Sequence, residues 1–165
     1  MRKVGIIMGS DSDLPVVQKA FDTLSGLGVP YEVHVYSAHR SPEEAAAFAR
    51  AAEENGFGVI IAAAGMAAHL AGALAAATTL PVIGIPCASG GLGGLDALLS
   101  TVQMPSGIPV ATVAVGGAAN AAFLSAEILA LSDPELAKRL KAQRAAAREK
   151  VLEKDISISK QYSRL

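Results

Sequence analysis

The chain has 165 residues, a formal net charge of −1 and a hydrophobic fraction of 52 %. Its length predicts one domain, residues 1–165, large enough to bury a core of its own. The near-zero net charge excludes the basic surface typical of nucleic-acid binding and gives no attraction to an anionic membrane. Cys87 is the one cysteine, so no internal disulfide can form, which is typical of a protein of the reducing cytoplasm.

Strand-like and helix-like segments alternate along the chain with short joins. Residues 3–9 are a continuous apolar run, as expected for a strand that is covered on both faces. Residues 41–44, Ser-Pro-Glu-Glu, have the pattern of a capping box with proline at the first helical position. Hydrophobic periodicity and the proline and glycine signals predict the other elements. They are helix 13–27, strand 31–36, helix 41–55, strand 58–64, helix 67–78, strand 81–85, helix 95–102, strand 109–115, helix 118–131 and a charged helix 134–155, before a polar tail that is loose or docked on a neighbouring chain.

This alternation predicts the fold class. Five strands separated by helices indicate an α/β protein, a three-layer αβα sandwich around a five-stranded parallel sheet. The flavodoxin-like strand order 2-1-3-4-5 is the simplest arrangement, and its switch point lies between strands 1 and 3. Because ligands bind outside the carboxyl ends of parallel strands at such a point, the loops after strands 1, 2 and 3 are expected to form one pocket.

One apolar stretch, residues 57–77, is long enough to resemble a membrane span. Alanine and glycine dominate it, and His69 interrupts it. We therefore interpret it as a buried strand, a loop and a helix of small residues rather than as a transmembrane segment. The chain carries more apolar surface than one small core needs, so we expect a homo-oligomer whose subunit interfaces cover the excess.

The first of the three loops, residues 9–13, reads Gly-Ser-Asp-Ser-Asp. Ser10 and Ser12 place two hydroxyls beside a helix N-terminus, where free backbone N–H groups favour an anion such as phosphate. Asp13 can accept hydrogen bonds from ribose hydroxyls. The alternative is that Ser12 or Asp13 only caps the following helix.

The second and third loops carry ionisable side chains. Residues 37–40, Ser-Ala-His-Arg, set an imidazole that can move a proton near neutral pH beside a guanidinium that can grip a phosphate or carboxylate. The alternatives are a structural hydrogen bond for His39 and a surface salt bridge for Arg40. In the third loop, residues 64–70, small residues leave space for a flat ligand against the backbone, and His69 is either a site residue or a packed helix histidine. Cys87 has no neighbouring cation and is expected to be a small buried residue, and the ligand spacing of a zinc site is missing.

Four motifs, in this order, resemble the PurE family of purine biosynthesis. They are residues 9–13, residues 37–40, Ala67-Ala68-His69-Leu70 and residues 102–109, Val-Gln-Met-Pro-Ser-Gly-Ile-Pro. The resemblance covers roughly residues 3–155. Arg40 and the Ala67–Leu70 motif are similar to class I members, the N5-carboxyaminoimidazole ribonucleotide mutases. Class II members carboxylate aminoimidazole ribonucleotide directly with CO2, tend to have lysine after the histidine, and are the nearest enzymatic alternative.

The resemblance implies a cytoplasmic isomerase of de novo purine biosynthesis that needs no cofactor and no metal, acts on a small ribonucleotide, and assembles as an octamer. It implies that His39 is the general acid and base. The substrate-binding residues that it implies are Ser10, Ser12, Asp13, Ser37, Ala38, Arg40, Gly65, Ala68 and His69. The chain departs from the family pattern at Met66, usually glycine, at Ala71, usually proline, and at Ala97, usually serine.

Two other classes of protein share the expected fold. A flavodoxin-like electron carrier usually stacks its flavin on aromatic side chains, and this chain has no tryptophan, three tyrosines and four phenylalanines. A response-regulator-like signalling domain needs an acidic phosphoacceptor at the end of strand 3. That position reads Ala62-Ala63-Ala64-Gly65, which argues against a phosphoacceptor.

Overall fold

Five parallel strands form the central sheet in the computed structural model, which describes residues 1–164. The strands are β1 (Lys3–Met8), β2 (Tyr31–Val35), β3 (Phe57–Gly65), β4 (Val82–Cys87) and β5 (Ala111–Thr112). The helices are α1 (Leu14–Gly26), α2 (Pro42–Ala51), α3 (Leu70–Ala75), α4 (Leu95–Val102), α5 (Ala118–Ala130) and α6 (Pro134–Tyr162). The strand order β2-β1-β3-β4-β5 confirms the predicted flavodoxin-like α/β fold.

Helices cover both faces of the sheet because side chains of the inner strands alternate between two apolar clusters. In β1, Val4 and Ile6 belong to the cluster that includes residues of α1, α5 and the start of α6, whereas Ile7 belongs to the cluster that includes α2 and α3. Helix α4 packs against β4, where Gly84 permits close approach: a Cβ there would lie 2.3 Å from Thr101 Cγ2. Each fully buried isoleucine or leucine contributes about 1.5–3 kcal/mol through burial.

The apolar stretch 57–77 folds as predicted into a buried strand, a loop and a short helix of small residues. Most of its apolar side chains lie in the core of this chain, whereas Met66 is exposed. Apolar surface remains exposed elsewhere, along α4 and on α6. Among residues 1–164, no helix combines the length and the apolarity that crossing a bilayer requires.

Several elements differ from the prediction in extent: helix α2 ends at Ala51 rather than at residue 55, and three others differ for reasons that the structure shows. Strand β5 is shorter because it is an edge strand that pairs with β4 at two positions only, Ala111 opposite Ile83 and Thr112 opposite Gly84. Helix α3 begins at Leu70 rather than at residue 67 because the chain first makes a turn through Met66 in the left-handed region. Helix α6 continues to Tyr162, so residues 156–162, predicted to belong to a loose or docked tail, are helical.

Candidate active site

A cleft of about 490 Å³ lies at the carboxyl ends of the central strands, where the loops after β1, β2 and β3 meet. This is the place that the strand order predicts for a ligand. All the candidate site residues except Ala68 line it; the Ala68 side chain is buried, with 2 % of its surface exposed. The lining residues are Gly9, Ser10, Ser12, Asp13, Ser37, Ala38, His39, Arg40, Ala64, Gly65, Met66, Ala67, His69, Leu70 and Ser89.

A second cavity of similar size, about 510 Å³, lies among α1, α5 and α6. Its wall includes Asp22, Phe123 and Arg139, and the Arg139 Nε donates a hydrogen bond to the Leu27 carbonyl at 2.8 Å. The guanidinium is thus already engaged in joining α6 to the end of α1. No histidine and none of the candidate site residues belong to this wall, so we place the chemistry in the cleft above the sheet.

In the first loop, Ser10 and Ser12 bind each other across a short turn. The Ser10 Oγ accepts a hydrogen bond from the Ser12 amide at 3.3 Å, and the Ser12 hydroxyl lies 2.9 Å from the same oxygen. The Asp13 side chain makes no capping hydrogen bond to α1 within the described residues. The alternative that Ser12 or Asp13 serves as a plain helix cap is therefore wrong. Two hydroxyls, of the half-buried Ser10 and the exposed Ser12, line the cleft beside the start of α1, which suits an anion.

Asp13 is the buried carboxyl group of the cleft, with 8 % of its surface exposed. Burial raises the pKa of Asp13, while the Ser10 amide and the Cys87 thiol act in the opposite direction. Burial also raises the pKa of Cys87 to about 12, and the neighbouring Asp13 charge adds to that effect. Cys87 therefore stays a neutral thiol at physiological pH. This confirms the prediction of a small buried residue rather than a nucleophile.

In the second loop, Ser41 holds the segment that presents His39 and Arg40. The predicted capping box does not form: among the described residues the Ser41 side chain makes no cap bond to α2, and its Oγ instead accepts from the Ser37 amide at 2.8 Å. The Ser37 Oγ in turn accepts from the amides of His39 and Arg40 at 3.3 and 3.2 Å. Two hydroxyls thus fix the backbone on which the imidazole and the guanidinium stand.

Arg40 joins the second loop to the first, because its guanidinium donates to the Gly9 carbonyl at 3.3 Å. Within residues 1–164 it forms no salt bridge with a carboxylate, so the salt-bridge alternative is wrong. An exposed guanidinium beside the hydroxyls of Ser10 and Ser12 leaves donors available to an anionic ligand. Phosphate has the charge and the geometry for this cluster.

The two imidazoles of the cleft contact each other directly. His39 Nε2 lies 2.6 Å from His69 Nδ1, and the rings meet edge to face at 82°. Only one of two facing nitrogens can carry the hydrogen of such a bond, so one ring donates and the other accepts. A proton can therefore pass between a residue of the second loop and a residue of the third. His69 is exposed and lines the cleft, so it is not a packed helix histidine.

The third loop is made of small residues apart from Met66 and His69. Gly65 has no room for a side chain, because a Cβ there would lie 2.2 Å from the Ser89 Oγ. Met66 follows with φ of 54°, a conformation that glycine adopts most easily. The Ser89 Oγ is buried and has no hydrogen-bond partner in the described part of the chain. The backbone of this loop thus leaves room for a flat ligand, and the unpaired hydroxyl of Ser89 lies next to Gly65.

Sequence reasoning missed Ser89. The residue follows β4, whose carboxyl end lies beside that of β3, whereas the pocket was expected from the loops after strands 1, 2 and 3. A polar residue just after strand 4, the neighbour of strand 3 in the predicted order, was the signal that could have indicated it. Within residues 1–164, no three His, Cys, Asp or Glu side chains lie together as metal ligands do.

Comparison with known proteins agrees with the motifs. A family model described as AIR carboxylase matches residues 3–150. The N5-carboxyaminoimidazole ribonucleotide mutase of Pyrococcus abyssi is 60 % identical over 144 residues, which cover 87 % of this chain and 83 % of that protein. The protein of the same name from Escherichia coli K12 is 54 % identical over 153 residues, which cover 92 % of this chain and 90 % of that protein.

A solved structure has the same fold. The crystal structure of Treponema denticola PurE matches with a TM-score of 0.83 at 29 % sequence identity, covering 98 % of this chain and 98 % of that one. The family model spans most of the chain, and the relatives exceed half identity over most of their length. The chain therefore belongs to the AIR carboxylase family, the PurE family that its motifs resemble.

Proposed function

We propose that this chain is an isomerase of purine biosynthesis that converts N5-carboxyaminoimidazole ribonucleotide to 4-carboxyaminoimidazole ribonucleotide. The observation that carries the proposal is the cleft itself. It sets the contacting imidazoles of His39 and His69 beside an anion site at Arg40. The high identity to proteins named as this mutase supports the choice of substrate.

The phosphate and ribose bind at the ends of β1 and β2. Arg40 contributes its guanidinium and Ser10 and Ser12 their hydroxyls to the phosphate, at the start of α1. Asp13, at the base of the same loop, accepts hydrogen bonds from the ribose hydroxyls. The imidazole ring and its carboxylate then lie over Ala38 and Gly65, where small residues leave room for a flat group.

The reaction moves a carboxyl group within the cleft. The bond between N5 and its carboxylate breaks, CO2 is released beside the ring, and the amine nitrogen gains a proton. The ring carbon then attacks the same CO2, and the proton on that carbon leaves. His39 gives the first proton and takes the second, and His69 is its partner for the exchange. Holding CO2 against the ring replaces a bimolecular encounter, so no ATP, cofactor or metal is required.

A substrate comparison tests this function. We would supply N5-carboxyaminoimidazole ribonucleotide in one reaction and aminoimidazole ribonucleotide with bicarbonate in another, both without ATP and with a chelator. The proposal predicts that the first substrate is consumed far faster and that 4-carboxyaminoimidazole ribonucleotide forms. Consumption of neither substrate by folded protein would contradict it.

Direct carboxylation is the second candidate, because the matching family model is described as AIR carboxylase. In that reaction aminoimidazole ribonucleotide takes CO2 from solution, and the same histidines remove the ring proton. Arg40 and the Ala67–Leu70 motif, which resemble class I members, favour the mutase. Faster consumption of aminoimidazole ribonucleotide with bicarbonate would favour the carboxylase.

We further propose that the protein is a cytoplasmic homo-oligomer, an octamer as the family resemblance implies. The oligomer is supported by one face of α4 and the turn before it. This surface exposes a row of apolar side chains at a spacing of three or four residues. Those side chains are Leu92, Leu95, Leu99 and Val102. A row of this kind is stable in water when another copy of the chain covers it. A single buried thiol suits a reducing compartment.

A further inference from the structure

Met66 is held in an unusual backbone conformation. With φ of 54° it is the one non-glycine residue in the left-handed region among residues 1–164. This conformation disfavours any residue with a Cβ, and methionine has no short polar group to hydrogen-bond locally in compensation. Glycine would relieve the strain, as it does at the other positive-φ positions of the chain. Strain of this kind collects at functional sites.

Packing within the chain does not explain the methionine. Its side chain is 63 % exposed, so it fills no part of the core. It nevertheless lines the cleft, one residue after Gly65. Leu70, the other large apolar residue of the wall, is buried. Met66 is therefore the exposed long apolar side chain of the wall, and an unbranched thioether adapts its shape to a group that packs against it.

We infer that Met66 is a positioning residue, a movable apolar cover that closes over the bound imidazole ring and keeps CO2 in the cleft. This inference rests on the proposed function. The cleft wall is rich in hydroxyls and carries a carboxyl, a guanidinium and two imidazoles, all of which hold water. Released CO2 is small and uncharged, and it is lost when water reaches it or when it escapes. An apolar side chain above the ring excludes that water without competing for protons.

Methionine oxidation tests the cover without measuring activity. Hydrogen peroxide converts an exposed methionine to its sulfoxide, and mass spectrometry reports each position. Met1 is 58 % exposed and lies outside the cleft, so it is the matched control. Saturating 4-carboxyaminoimidazole ribonucleotide should slow oxidation of Met66 by at least about fivefold, since reactivity follows exposure, and leave Met1 unchanged. Calorimetry on the same samples establishes that the nucleotide is bound.

Two variants test the role in turnover. Met66→Gly should fold, because glycine suits the backbone, and should raise the fraction of substrate lost as aminoimidazole ribonucleotide and CO2 by about tenfold. Met66→Leu keeps an apolar cover and should stay near the natural fraction. An unprotected Met66 in protein that binds the nucleotide, or an unchanged fraction in Met66→Gly, overturns the inference and leaves the mutase intact. Absence of nucleotide binding overturns both.

Discussion

In the proposed mechanism, proton transfer depends on His39 and His69. They come from loops after different strands, β2 and β3, and their contact of 2.6 Å exists because both strands flank β1 in the sheet. The backbone that presents His39 is fixed by hydrogen bonds to Ser37, so the ring is placed before substrate arrives. A preorganised pair of this kind can move a proton without rearrangement of the loops.

Replacing His39 should separate chemistry from binding. His39→Asn should lower turnover by at least about a hundredfold, the low end for general acid–base catalysis, while 4-carboxyaminoimidazole ribonucleotide still binds. Steady-state kinetics and calorimetry measure the two effects. His34→Asn is the matched control, because His34 lies on β2 and pairs with Glu32 outside the cleft. Near-normal turnover in His39→Asn would show that the proton carrier is another group.

Asp13 gives a pH-dependent prediction. Burial raises its pKa in the folded protein, so folding favours the protonated carboxyl. The protonated Asp13 therefore contributes its full stability at pH values below about 4, the pKa of a carboxyl in the unfolded chain. That stability is lost as the pH rises through the higher pKa of Asp13 in the folded protein. Asp13→Asn should therefore stabilise the protein relative to the natural chain at pH 7, and the difference should shrink toward pH 4. Urea unfolding at several pH values measures it. Asp155→Asn, at an exposed position of α6, is the control, and a difference independent of pH would contradict the burial argument.

The residues that line the cleft could be predicted from sequence because they lie in or beside the loops that follow strands. Ser10, His39 and His69 were placed by that rule, and the parallel sheet brings them into one cleft. Ala68 was predicted with them, but its side chain is buried and does not line the cleft. The hydrogen-bond roles of Ser37 and Ser41 were not predictable, because a serine before a helix can bond to either side of itself.

A polar residue before a helix can either cap that helix or bond to the preceding loop, and the starts of α2 and α6 show one case each. Ser41 precedes α2 but bonds to Ser37, whereas Asp133 precedes α6 and accepts from the Leu136 amide at 2.9 Å. Ser41→Ala should lower turnover about tenfold through misplacement of His39. Asp133→Ala should cost about 1 kcal/mol of stability as a lost cap and leave turnover unchanged. Kinetics and thermal unfolding of both variants measure this contrast. Equal loss of turnover in the two would contradict it.

Element extents were predictable where burial decided them. Strands β1, β3 and β4 are continuous apolar runs and were found with errors at their ends only. Strand β5 was predicted too long because its residues have strand character, but only two of them meet β4 in register. Helix α6 was predicted too short because its last residues are exposed and mix apolar with polar side chains, so no apolar periodicity marks where it ends. A pattern of apolar residues predicts neither how far an edge strand pairs with its neighbour nor how far a helix extends into solvent.

The whole molecule leaves the apolar face of α4 uncovered. Leu99 lies in the middle of that face. Leu99→Asp should split the assembly into smaller species, because a buried charge at an interface lacks a partner. Leu131→Asp changes an exposed leucine at the end of α5 and is the matched control. Light scattering after gel filtration measures mass, and circular dichroism checks folding. A natural chain that is already a monomer at micromolar concentration would refute the oligomer.

The central claim is that CO2 is released and recaptured in one cleft. The most direct measurement supplies N5-carboxyaminoimidazole ribonucleotide with an isotopic label in its N5 carboxylate, together with excess unlabelled bicarbonate and no ATP or metal. The account predicts that the label appears in 4-carboxyaminoimidazole ribonucleotide mostly undiluted, because the captured CO2 does not equilibrate with solvent. Complete loss of the label to the bicarbonate pool would contradict the account.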